Sequence, residues 1–137
     1  MKLLSHIADR LRHRIQRQKW TTERAAGVVG EDLAHRFLRE RKFVIVSRNF
    51  RPRSGAGEID IIARDGEKLV FVEVKTRAND DVGFPDRAVG PQKRRTLERA
   101  ARDYARRTDT DWLDTRFDIV TIVLSTPPVI EHFPAAW

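Results

Sequence analysis

The stretch from Gly55 to Arg77, GAGEIDIIARDGEKLVFVEVKTR, constrains the chain most tightly, because its patterning fits a β-hairpin. Glu58 to Arg64 alternates apolar and polar residues, Asp65-Gly66 suits a two-residue turn, and Leu69 to Lys75 is a β-branched and aromatic run. With Asp65 and Gly66 as the turn, the register places Arg64 opposite Glu67, Asp60 opposite Phe71 and Glu58 opposite Glu73. Side chains alternate along a strand. Glu58, Asp60, Glu73 and Lys75 therefore share one face of the sheet, with Asp60 diagonal to Glu73.

Three carboxylates on one patch repel one another unless something neutralises them. A hard divalent cation would do so, since Mg²⁺ commonly takes one or two protein carboxylates and completes its shell with water and substrate phosphates. Lys75 adds a positive charge two residues from Glu73, where it can stabilise developing negative charge or orient a water. The competing reading is an acidic but solvated strand face. Ile59, Ile61 and Ile62 on one strand and Val70, Phe71, Val72 and Val74 on the other argue for burial, and charges in buried strands need a partner.

Asp60 followed by Glu73-Val74-Lys75 resembles the signature of the PD-(D/E)xK nuclease superfamily. The same stretch, with GEDLA upstream from Gly30 to Ala34 and RFDIV downstream from Arg116 to Val120, resembles the YraN family of small bacterial proteins. That similarity covers most of the chain after about Ala25. It implies a nuclease-like fold in which Asp60, Glu73 and the Val74 carbonyl are metal ligands and Lys75 is the catalytic lysine. Ile59 stands where the superfamily name has proline, which makes the match less specific but removes no catalytic group.

Residues 1–24 read as a basic amphipathic extension ahead of a domain over 25–137. Leu3, Ile7, Leu11 and Ile15 recur every fourth residue as a stripe, and Arg10, Arg12, Arg14, Arg17 and Lys19 cover the rest up to Trp20. Such a helix can dock on the domain, lie on an anionic membrane, grip a phosphate backbone, or remain loosely attached. The YraN resemblance does not extend to it, so it is expected to be peculiar to this chain. Thr21 and Thr22 offer N-caps for the next helix.

That helix is expected over Ala25 to Lys42, with Val29, Leu33, Phe37 and Leu38 on its apolar side. Glu31 lies at the edge of that side. In the nuclease reading it joins the carboxylate patch as a further metal ligand and catalytic group; otherwise it is a first-turn acid favouring the helix dipole. Phe43 to Val46 is a strand. Arg48, Arg51 and Arg53 then flank Pro52 ahead of Ser54-Gly55-Ala56-Gly57, a basic loop suited to holding a phosphate near the site. Its glycines are not spaced as a nucleotide-binding loop and no helix follows.

Thr76 to Asp86 is a loop at the catalytic end. Gly90-Pro91 starts a helix to about Arg107 that buries Leu97, Ala100, Ala101 and Tyr104. Its basic residues suit phosphates, with Gln92 and Lys93 best placed to approach the site; Arg77, at the end of the hairpin, is a further candidate contact. Arg116 to Leu124 is an inner strand in which Asp118 is expected to partner a nearby arginine before it ligates a metal. Pro127-Pro128 breaks the chain, Val129 to Phe133 makes a short edge strand, and Trp137 caps the core. His6, His13, His35 and His132 have no metal-ligand spacing.

The order implies an α/β fold with a restriction-endonuclease-like αβββαβ core, a mixed central sheet flanked by helices. The 137 residues suit one domain and one core, and the chain has no cysteine for a disulfide or thiolate zinc site. No segment is long and apolar enough to span a bilayer and charges come too early for a secretory signal, so a cytoplasmic protein is expected. The net charge of +7 favours a polyanion. The expected function is phosphodiester hydrolysis in nucleic acid, with DNA as the favoured partner and Mg²⁺ or Mn²⁺ as cofactor; a homodimer is compatible with the chain. Two alternatives stay open: a non-catalytic nucleic-acid-binding module on the same fold, and a protein-interaction role through residues 3–20.

Overall fold

The computed structural model describes residues 2–78 and 88–137, apart from the side chains of residues 2 and 15–21. Its elements run α1 (Lys2–Glu40), β1 (Val44–Phe50), β2 (Ile59–Asp65), β3 (Lys68–Arg77), α2 (Pro91–Arg107), a short 3-10 turn at Trp112–Asp114, β4 (Thr115–Val123) and β5 (Val129–Phe133). The five strands form one mixed sheet in sequence order. Among the described residues only β3 and β4 pair in parallel, and α2 makes the crossover a parallel pair requires. The expected order of helix, three strands, helix, strand and short final strand is the order observed. The expected loop over Thr76 to Asp86 is described only at its start, because residues 79–87 lie outside the described residues.

Burial on both faces explains why the inner strands read as nearly continuous apolar runs. On one face Ala34 and Leu38 of α1 pack with Ile61, Ala63, Val70, Val72, Val120 and Ile122. On the other, Leu97, Ala100 and Ala101 of α2 pack with Ile62, Leu69, Phe71, Phe117 and Ile119. Trp137 caps that second face as expected, stacking on Phe117 at 4.8 Å between ring centres.

Two expectations are corrected. The N-cap expected at Thr21 or Thr22 does not form, because α1 is one helix through both. Threonine is a mediocre helix former but not a breaker, and nothing between Thr21 and Ala26 forces a stop. The helix closes at Glu40 rather than Lys42. Lys42 takes a left-handed φ of 75°, its N–H donates to the Arg39 carbonyl and the Phe43 N–H to the Leu38 carbonyl, both at 3.0 Å. That is a Schellman closure, sealed by Phe43 and Leu38 in the same apolar cluster.

The hairpin turn is the second correction. Asp65 pairs with Lys68, Ile62 with Phe71 and Ile61 with Val72, so the turn residues are Gly66 and Glu67. Gly66 has φ +60° and Glu67 is not left-handed, the pattern of a turn whose first central residue must be glycine. The register therefore moves by two residues. A shift of two preserves which side chains share a face, so Asp60 and Glu73 stay together but stand opposite each other rather than diagonal. Glu58, expected opposite Glu73, falls before the strand.

α1 reaches the sheet closely because residue 30 is glycine. A Cβ there would lie 2.0 Å from Thr76 Oγ1 and 2.9 Å from Thr76 Cβ. Gly30→Ala is expected to destabilise the fold by about 1–3 kcal/mol, the usual cost of overpacking. Chemical denaturation of Gly30→Ala, Thr76→Ala and the double variant checks this. The double variant should recover part of the loss, whereas additive losses would mean the two residues do not meet.

Candidate active site

The hairpin ladder ends at Ile61 and Val72, and the next rung is made by a side chain. Asp60 Oδ2 accepts the Val74 N–H at 2.8 Å. Since a strand residue offers its N–H and C=O to the same neighbour, the Val74 carbonyl is directed to the Asp60 side as well. Continuing the register puts Glu73 across from Asp60. Glu73 is only 7 % exposed, and its Oε1 accepts a hydrogen bond and ion pair from the Lys93 ammonium at the start of α2.

Lys93, expected to approach the site as a phosphate contact, is thus the counter-charge of the buried acid. The Lys75 ammonium instead donates to the Ala88 carbonyl. Both lysines stand where α2 begins, so the two acids and two lysines form one constellation at the start of β2 and the C-terminal half of β3.

Burial pushes the Asp60 carboxyl up from 3.8 to about 8, and the neighbouring Glu73 charge adds to the rise. The Val74 N–H opposes it, Glu31 raises it further, and Lys93 lowers it. Asp60 therefore carries a proton near neutral pH in the absence of another cation. For a raised carboxyl the sign is fixed: stability is full below the unfolded pKa near 4 and is lost as pH rises towards 8, because the unfolded chain ionises first. Asp60→Asn keeps an acceptor for Val74 and removes the titration. Its melting temperature is expected to fall less than that of the unsubstituted chain between about pH 4 and 8, and to exceed it at pH 8. Parallel pH profiles for the two proteins would contradict the assignment.

Glu31 approaches the same region from α1. Its pKa is raised by burial, countered by Arg48 and raised again by the Glu58 charge. Arg48 lies 3.5 Å from Glu31 and 2.8 Å from Asp32. With the Asn49 amide oriented so that its nitrogen faces the acids, it donates to Glu58 Oε1 at 2.9 Å and to Glu31 Oε2 at 3.0 Å. Glu58 also pairs with Arg51 at 3.1 Å. The acidic patch of the hairpin face is in fact two linked groups, Asp60 with Glu73 and Glu31 with Glu58, and each has its own basic partner.

The preceding loop is held against α2. Gly57 has φ +81°, and a Cβ on it would come within 2.6 Å of Thr96 Cγ2, so both its conformation and its closeness require glycine. Arg53 in this loop and Arg77 at the end of β3 are exposed, as is Gln92. Among the described residues Arg51 pairs with Glu58, and none of Arg51, Arg53, Arg77 and Gln92 is hydrogen-bonded or ion-paired to Asp60 or Glu73.

An all-oxygen donor set at crowded, buried carboxylates suits a hard divalent cation. Among the described residues no three acidic or histidine side chains converge to hold one ion. A cation here would take the Asp60 and Glu73 carboxylates and draw its remaining ligands from the Val74 carbonyl, water and substrate, as Mg²⁺ usually does.

Asp118 has the partner expected of it, and more. It is 0 % exposed, and Arg116 reaches it through Nε at 2.8 Å and a terminal nitrogen at 2.9 Å. His132 Nε2 lies 2.7 Å away, and the Ala135 N–H donates at 3.0 Å. Burial alone would raise its carboxyl, but the His132, Arg116 and Ala135 hydrogen bonds and the guanidinium charge together hold it below the usual range. This network lies on the α1 face, where His132 meets Phe43 and Phe37 edge-on, and on the opposite face from Glu73.

The family described as Uncharacterised protein family UPF0102 matches residues 30–122. A UPF0102 protein of Solibacter usitatus is 48% identical over 135 residues, covering 98% of each chain. Relatives of the same description in Geobacter sulfurreducens and Nocardia farcinica are each 45% identical, over 113 and 118 residues; they cover 81% and 84% of this chain, and the match spans 87% and 91% of their own length. The Solibacter match corrects one expectation: the segment before Ala25 is not peculiar to this chain.

Proposed function

The chain belongs to the UPF0102 family, the YraN-like family its motifs resemble, and from that premise we propose that it is a metal-dependent nuclease of the PD-(D/E)xK type. The observation that carries the reading is the buried pair Asp60 and Glu73 on adjacent strands, with Val74 on Asp60 and with Lys75 and Lys93 beside it. The order αβββαβ with a mixed sheet between two helices is compatible with the restriction-endonuclease-like core, and the further strand β5 extends it.

Asp60 and Glu73 would hold Mg²⁺ or Mn²⁺, with the Val74 carbonyl beside them. The bound cation supplies charge neutralisation and polarisation of the scissile phosphate. Lys93 then becomes free to leave Glu73 for a substrate phosphate. Lys75 exchanges the Ala88 carbonyl for a phosphate oxygen, where its charge is matched to the negative charge that grows as water attacks phosphorus and the P–O ester bond breaks. The products are a phosphate monoester and a hydroxyl. Glu31 stands one step out as a further oxygen donor, and Arg51, Arg53, Arg77 and Gln92 fit contacts to flanking phosphates, which carry no base information.

The test is a cleavage assay on end-labelled duplex, single-stranded and branched DNA and on RNA, with Mg²⁺ or Mn²⁺. Metal-dependent cutting of one or more substrates is the expected result, with DNA favoured. Retention of nucleic acid with no cutting in either metal favours the binding-module reading.

A further inference from the structure

Five of the seven net positive charges fall in the first 24 residues, which hold seven basic and two acidic side chains. Residues 25–137 are near balance, with 20 basic and 18 acidic. The strong basicity of the chain is therefore a property of the N-terminal part of α1. That part also carries uncovered apolar surface: Leu3 is 74% exposed, Leu4 71%, Ile7 48% and Leu11 52%. Farther along the same helix Ala34 and Leu38 are fully buried.

The arrangement around the helix decides what this surface suits. Successive residues turn by about 100°, so Leu3, Leu4, Ile7 and Leu11 fall in one arc. Arg10 flanks that arc and Arg14 falls within the same edge of it, between Leu3 and Ile7 in projection, while Arg12 lies with Ser5, Asp9 and His13 on the far side. A helix gripping a phosphate backbone centres its cations on the contacting face and gains nothing from a leucine stripe. A seam with a second copy of this chain would bring flanking arginines against arginines. An apolar arc edged by arginines suits an interface whose interior is hydrocarbon and whose rim is anionic, because long cationic side chains can bury their stems and keep their charge at the headgroups.

We propose that residues 3–14 of α1 dock on an anionic lipid surface, lying in its plane with Leu4, Ile7 and Leu11 inserted and Arg10 and Arg14 at the headgroups. Arg12 pairs with Asp9 on the far side of the helix and can keep that partner when the apolar arc is inserted. No helix among the described residues is long and apolar enough to cross a membrane, so the contact is peripheral.

The test is co-sedimentation of the full chain with vesicles of phosphatidylcholine alone or mixed with phosphatidylglycerol, alongside a short DNA duplex and a sizing column. The expected result is binding to the mixed vesicles only. Ile7→Glu with Leu11→Glu should lower it at least about tenfold, and Arg10→Gln with Arg14→Gln by about fivefold per arginine. These residues are exposed, so the variants should melt as the parent does and still cleave or bind nucleic acid as it does. The proposal is overturned by no binding to mixed vesicles, by equal binding to both vesicle types, or by binding unchanged in the Ile7 and Leu11 variant. Duplex binding or a dimer that disappears in these variants without any vesicle binding would likewise overturn it, in favour of nucleic acid or a second copy.

Discussion

Alanine at Asp60 or at Lys75 is expected to lower the rate of metal-dependent cleavage on the order of 10²–10³-fold, the loss typical of removing one group that meets transition-state charge. The two should differ in kind. Asp60→Ala removes a carboxylate that would hold the cation, so raising Mn²⁺ should restore part of the rate. Lys75→Ala leaves both carboxylates intact, and no concentration of metal should restore it. Lys93→Ala provides the contrast: it frees Glu73 of its ammonium and should weaken substrate binding while metal binding tightens. Quench-flow or gel assays over a metal series separate these outcomes. Equal cleavage by parent and both alanine variants would point to a contaminating nuclease and remove the catalytic assignment.

The second large effect is on stability and lies on the other face. Asp118→Ala takes the acceptor from Arg116, His132 and the Ala135 N–H at once, at a position with no solvent access. Breaking a buried charge pair from one side costs about 3–5 kcal/mol, a large part of the roughly 5–15 kcal/mol that holds a domain of this size. Arg116 keeps Asp65 at 3.0 Å, which limits the loss on that side. Asp118→Asn retains an acceptor for Ala135 and should lose less. Urea denaturation at neutral pH checks both, and a loss below about 1 kcal/mol for alanine would mean the network is replaceable. The pH dependence should run opposite to that of Asp60. A depressed carboxyl contributes stability above the unfolded pKa and loses it as pH falls through its folded value, so Asp118 accounts for acid sensitivity and Asp60 for loss towards pH 8.

The hairpin was legible in the sequence because alternation marks a face even when the turn is misplaced. Asp65-Gly66 suggested a turn at those two residues, but the left-handed position belongs to Gly66 as the first of the pair, followed by Glu67. An error of two residues left Asp60 and Glu73 on one face; an error of one would have separated them. The continuity of α1 was hidden by Thr21 and Thr22, which are good caps but are also tolerated inside a helix. Lys93 was visible as a residue near the site. Its pairing with Glu73 was not, because it depends on where the crossover helix lands, through residues 79–87 that carry no periodic pattern. The Asp118–His132 contact required β5 to pair back on β4, which puts His132 beside Val120 and within reach of Asp118. His132 has no partner at close sequence spacing, so only the sheet reveals it.

The most direct test of the central claim is a calorimetric titration of Mn²⁺ into the purified chain near neutral pH, alongside Asp60→Asn, Glu73→Gln and Lys75→Ala. The account predicts a cation site that is lost in the first two variants and kept in Lys75→Ala. No binding to the parent chain, or binding that persists unchanged in both Asp60→Asn and Glu73→Gln, would contradict it, because the buried pair would then be an internal polar contact and not a metal centre.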